Sequence, residues 1–140
     1  MPYITNENRL QLLSVTKDVF NILDKYDEQN SLYYILNSIC HRVSEYNLES
    51  GKINYIITLC IIRLIKMHKG NYDFRQDILD TLFDVRDSLK EFGGEQFKNI
   101  RGAILCACLE FYRKDFSKYE DTKIKENGDV YEDSLWKYYW

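Results

Sequence analysis

The chain has 140 residues, a formal net charge of −3 and a hydrophobic content of 45%. That length suits one domain and buries roughly two-thirds of its unfolded surface, so the fold requires no disulfide or metal staple. The composition excludes a disordered chain, the mild acidity excludes a general nucleic-acid binder, and no run of about 18 apolar residues is present to cross a membrane.

With one Pro, at position 2, and six Gly, long segments run uninterrupted, and their apolar residues recur at three and four. The expected fold is all-α: a compact bundle of about five helices with a short C-terminal helix or turn segment. The first predicted helix spans about Asn6 to Tyr26, capped by Thr5 or Asn6, with Leu10, Leu13, Phe20 and Leu23 facing inward. The second spans about Ser31 to Tyr46, with Leu32, Ile35, Leu36, Ile39 and Val43 inward, and Gly51 falls in the break that follows. The third starts near Asn54 and ends before Gly70; "INYIITLCIIRLIKM" is apolar nearly all round, which predicts a central helix. Its β-branched content also suits a buried strand, but strands seldom exceed about ten residues. The fourth starts with Asp73 as N-cap, carries the stripe Ile78, Leu82, Val85 and Leu89, and stops at Gly93-Gly94. The fifth spans about Glu95 to Phe116, where Gly102, Ala103 and Ala107 offer a slim side for the close approach of another helix.

The remainder, 117–140, is a polar segment followed by the aromatic extension "EDSLWKYYW". A run so rich in Trp and Tyr is expected to pack on its own domain or on a neighbouring chain. The polar part, "YEDTKIKENGDVY", combines a short helix-forming stretch with an Asn127-Gly128 stop or turn.

Several constellations carry chemistry. Asp73, Asp77, Asp80, Asp84, Asp87 and Glu91 lie along one face of the fourth helix. That pattern fits a metal site or an imitation of a phosphate backbone, but no second helix supplies a matching acidic pair, and a solvated face accounts for it. Arg63, Lys66 and Lys69 near the end of the third helix either offset its dipole or form a wall for phosphates. Neither Cys40-His41 nor Cys106-x-Cys108 has tetrahedral zinc spacing, so no metal and no cofactor is expected. The four cysteines read as reduced thiols, and "MPYITNENRL" has neither the basic start nor the apolar run of a secretion signal. The expected compartment is therefore the cytoplasm. Glu110 and Arg113, one turn apart, read as a surface ion pair.

Two readings stand for the polar segment: a structural latch, or a ligand site folded back on the fifth helix. In the second, Arg113 and Lys123, with Lys52, would meet phosphate, and Tyr112, Tyr119 and Tyr131 would stack on a base. Asn54, Thr58 and Asn127 would hydrogen-bond, and Glu110, Glu120, Asp121 and Asp129 complete the candidate set. Asn54 and Thr58, four apart, share a helix face.

Four stretches carry a resemblance. They are the start Met1 to Ile4, "GKINYIIT" from Gly51 to Thr58, "CLEFYRK" from Cys108 to Lys114, and "YEDTKIKENGDVY" from Tyr119 to Tyr131. Together they resemble a family of small proteins of phages and bacterial mobile elements. Lys114 departs from that pattern, where Arg is expected, and residues 132–140 extend past its usual end. The resemblance implies a phage counter-defence protein acting in the host cytosol. It would be a homo-oligomer, without catalysis, that binds and sequesters a nucleotide-derived immune signal and engages neither membrane nor long nucleic acid. The rival expectations are a protein-interaction module that inhibits a host protein, and a magnesium-dependent nucleotide hydrolase using the carboxylates of the fourth helix.

Overall fold

The computed structural model describes residues 5–27, 31–68, 72–116 and 125. Every regular element among them is helical. The helices are α1 (Asn6–Gln11), α2 (Leu13–Leu23), α3 (Leu32–Ser44), α4 (Ser50–Met67), α5 (Tyr72–Ser88) and α6 (Glu95–Phe111). A 3-10 turn (Leu89–Glu91) extends α5, and a π-helical turn (Tyr112–Phe116) follows α6. The chain divides into two compact units, Met1–Cys108 and Leu109–Trp140.

In the first unit α2 packs against α3 and α4, while α3 and α4 each pack against α5. The central position expected for the apolar third segment is met by α4, which buries Ile53, Ile56, Ile57, Cys60, Ile61 and Leu64 on two adjoining faces. The α5 stripe Ile78, Leu82, Val85 and Leu89 is buried as its spacing predicts. So are Ile35, Leu36, Ile39 and Val43 of α3. Among the described residues no helix is long and apolar enough to cross a membrane.

The first predicted helix needs correction. It is broken at Leu12, whose φ of −89° and ψ of 2° leave the helical region. Leu23 is buried as expected and Phe20 is half-buried, but Leu10 and Leu13 are 67% and 50% exposed, and Leu12, Val15 and Val19 join Leu23 in the core instead. Both stripes have helical spacing, so periodicity alone does not choose between them. The buried one contains the compact β-branched residues that fill the contact with α3 and α4. Thr5 caps α1 as expected, its hydroxyl accepting from the Asn8 N–H at 3.2 Å.

The third predicted helix begins four residues earlier than its apolar pattern. Ser50 and Gly51 form its first turn, and Glu49 holds the extended N-cap position. Glycine is tolerated there because the first turn has no intrahelical bonds to lose and sits outside the helix interior. The preceding turn is set by Asn47, at φ 54°, a left-handed conformation that Asn accepts more readily than most residues. At the other end of the fold, α5 begins at Tyr72, so Asp73 lies inside its first turn rather than capping it. Gly94, at φ 104°, turns the chain into α6, and here glycine is required.

The start of α6 is tied down within the first unit. The Gln96 side chain donates to the Leu48 carbonyl at 3.2 Å, and Arg101 Nη1 donates to the Leu89 carbonyl at 3.1 Å. His41 meets Phe92 and Phe97 edge-on, at centroid distances of 4.8 and 5.4 Å.

Candidate functional site

A groove of about 450 Å³ lies in the first unit between the first turn of α4 and one side of α6. Ser50, Gly51 and Asn54 form the α4 wall; Lys98, Asn99, Gly102, Ala103 and Cys106 form the α6 wall. Pockets for small molecules span about 300–1,000 Å³, so the size suits a compact ligand. On α6 the lining residues recur at four, which aligns them along one side over roughly 12 Å. Gly102 is exposed, and no atom lies within 4 Å of the position its Cβ would take. Of the slim side read from the sequence, Ala103 and Ala107 are buried, whereas Gly102 opens onto the groove instead of admitting a close helix neighbour.

Asn54 is the one buried polar side chain in the described core, 6% exposed. Its Oδ1 accepts from the Thr58 hydroxyl at 3.2 Å, one helical turn on, as their shared face predicts. Among the described residues nothing accepts from its Nδ2, yet that atom is not sealed from solvent. Asn54 is one of the residues that line the groove. Beside it, Glu49 makes no side-chain bond to the α4 turn, so the N–H groups of Ser50, Gly51 and Lys52 have no intrahelical acceptor. The groove thus offers amide and backbone donors, the hydroxyl of Ser50, one ammonium and one exposed thiol, Cys106.

The other candidates fall elsewhere. Glu110, Tyr112 and Arg113 belong to the second unit. Arg113 Nη2 donates to Glu110 Oε1 at 2.7 Å, and Lys114 Nζ lies 3.2 Å from the same oxygen. The Arg113 hydrogen bond above all holds the Glu110 carboxyl below its usual range. The ion pair expected one turn apart is therefore formed, with Lys114 joining it. Tyr119, Glu120, Asp121, Lys123, Asn127, Asp129 and Tyr131 lie outside the described residues.

Elsewhere in the first unit, Arg63 is committed to Asp24 through two bonds of 2.8 Å and lies over the Phe20 ring at 4.5 Å. That engagement takes it out of any phosphate-binding wall. The five aspartates of α5 and Glu91 of the 3-10 turn are all exposed, as a solvated face requires, and no group of three or more His, Cys, Asp or Glu that could hold a metal occurs among the described residues. Lys98 and Asn99 were not singled out by the sequence, and Cys106 was weighed only as a metal ligand and a reduced thiol. Their only signal is the four-residue recurrence Lys98, Gly102, Cys106, which places polar and small side chains where a packed helix would carry large apolar ones.

No curated protein and no solved structure matches the chain. The family model described as a domain of unknown function, DUF6899, matches residues 1–130, and the chain belongs to that family.

Proposed function

We propose that this protein binds a nucleotide-like small molecule in the groove between α4 and α6 and holds it without cleaving it. The observation that carries this reading is Asn54. A buried carboxamide, tethered by Thr58 through its oxygen, lines a groove of ligand size and has no acceptor for its Nδ2 among the described residues. Because that end remains open to solvent, a ligand acceptor would take the place of water there, a gain of about 0.5–1.5 kcal/mol for one hydrogen bond. The lining residues suit retention: amides read hydrogen-bonding edges, Lys98 offers positive charge, and the open space over Gly102 accepts a flat ring. Sequestration of an immune signal is the biological setting that the sequence resemblance suggests for such a binder.

Calorimetric titration with cyclic dinucleotides and ADP-ribose derivatives tests the proposal. Saturable binding by one class, with the ligand recovered unchanged by chromatography after incubation with Mg²⁺, supports it. Recovery of a converted product points to the hydrolase instead, and no heat across the panel removes the nucleotide reading. Light scattering on the same samples tests the homo-oligomer.

A further inference from the structure

The proposed binding reading leaves open which part of a ligand meets α4, and the groove's own chemistry addresses it. The α4 wall is the first turn of an 18-residue helix, where unpaired N–H groups and the helix dipole favour negative charge. Two further features converge on the same place independently of the helix end. One is Asn54, a side chain 6% exposed that lines the groove and whose Nδ2 has no acceptor among the described residues. The other is Lys98, an exposed ammonium on the facing α6 wall with no ion pair among the described residues. The acids nearest in sequence to these donors are Glu49, at the N-cap of α4, and Glu95, at the start of α6; neither is among the groove's lining residues.

We infer that the α4 side of the groove is a phosphoryl subsite. The N–H groups of Ser50 and Gly51, with that of Lys52 in the same helical turn, the carboxamide of Asn54 and the ammonium of Lys98 make three kinds of donor on two walls. A phosphate group presents its free oxygens in a tetrahedral spread, three in a terminal monoester and two per phosphorus in a diester or internal diphosphate, so it can meet donors that do not share a plane; the two oxygens of a carboxylate lie in one plane. Gly51 allows the anion to approach the backbone closely, because no side chain screens its N–H. The rest of the ligand then lies along Asn99, Gly102 and Cys106. This inference rests on the groove being the binding site and adds the class of group it recognises.

The test is a titration of the full-length protein with inorganic phosphate, followed by ¹H–¹⁵N correlation spectra. The expected result is saturable movement of the Ser50, Gly51 and Lys52 amide signals and of the Asn54 side-chain amide, weakened by added salt. Lys98→Gln, a surface change that leaves the core intact, should weaken the apparent affinity about tenfold, through loss of one charge-assisted contact, and Lys98→Arg should restore most of it. Signals at 50–52 that do not move, or that move equally in Lys98→Gln, overturn the inference. Nucleotide binding in the groove that leaves those amides unmoved overturns the subsite alone and leaves the binding reading standing. Phosphate capture at 50–52, with no nucleotide binding more tightly than phosphate, supports the subsite and removes the nucleotide reading.

Discussion

The Thr58 hydroxyl donates to Asn54 Oδ1 at 3.2 Å, and this bond engages the oxygen of a buried carboxamide while its Nδ2 has no acceptor among the described residues. Thr58→Val keeps the shape but removes the donor, leaving Oδ1 unpaired in an apolar setting. The expected cost is about 1 kcal/mol in urea unfolding, with Thr58→Ser close to the parent. A larger fall in ligand affinity than in stability would show that the bond orients the amide as well as satisfying it.

Gly102 separates folding from binding. Its Cβ position is open, so Gly102→Ala should stabilise the protein by about 0.5–1 kcal/mol through helix propensity, read as a raised urea midpoint. Gly102→Trp would occupy the groove and abolish small-molecule binding while the far-ultraviolet circular dichroism stays unchanged. Undiminished binding by Gly102→Trp would mean that the ligand sits elsewhere.

The corrected register of the first two helices makes a sharp contrast. Leu12→Ala should cost about 2–5 kcal/mol because Leu12 is 3% exposed. Leu10→Ala, at 67% exposed, should change stability by no more than about 0.5 kcal/mol. Chemical denaturation of the two variants decides between the two stripes.

Acid should release the cross-helix ion pairs. The Arg42 hydrogen bond, then that of Tyr46, holds Asp18 below its ordinary 3.8, and Arg63 does the same for Asp24. Because both folded values are depressed, the stability they contribute is fully present above the ordinary carboxylate range. It is lost as pH falls through the lowered folded values. Asp24→Asn should therefore lower the urea midpoint at pH 7 and match the parent at strongly acidic pH, where both carry a neutral group.

The cysteines should differ sharply in reactivity. Burial pushes Cys40 and Cys108 up to about 12, and pushes Cys60 up as well. Cys106 alone among the four is exposed, on the groove wall. An aromatic disulfide reagent should modify Cys106 rapidly in the native state and the other three only on unfolding. Saturating ligand should slow the rapid phase, and Cys106→Ser should eliminate it.

Much of the architecture was legible in the chain. The α5 stripe from Ile78 to Leu89 and the α3 stripe from Ile35 to Val43 are buried as spaced, because one face of each meets apolar neighbours. The Asn54–Thr58 and Glu110–Arg113 relationships followed from helical geometry, since residues three or four apart are neighbours on one helix. Leu10 and Leu13 misled, because a helix with leucines on two faces does not declare which face its neighbours cover. Lys98, Asn99 and the place of Cys106 in the groove were missed for a related reason: an open groove is a property of two helices, and neither wall carries it alone.

The sequence by itself determined that the chain is helical, where most helices lie, and which side chains can meet within one turn. These depend on interactions a few residues apart, which spacing records directly. Only the tertiary structure decided that α4 starts at Ser50, that Gly102 faces open space, and that Asn54 borders a groove with Lys98 in its other wall. Those outcomes come from how α4 and α6 approach each other, a long-range packing solution shared among many buried side chains and written in no local pattern.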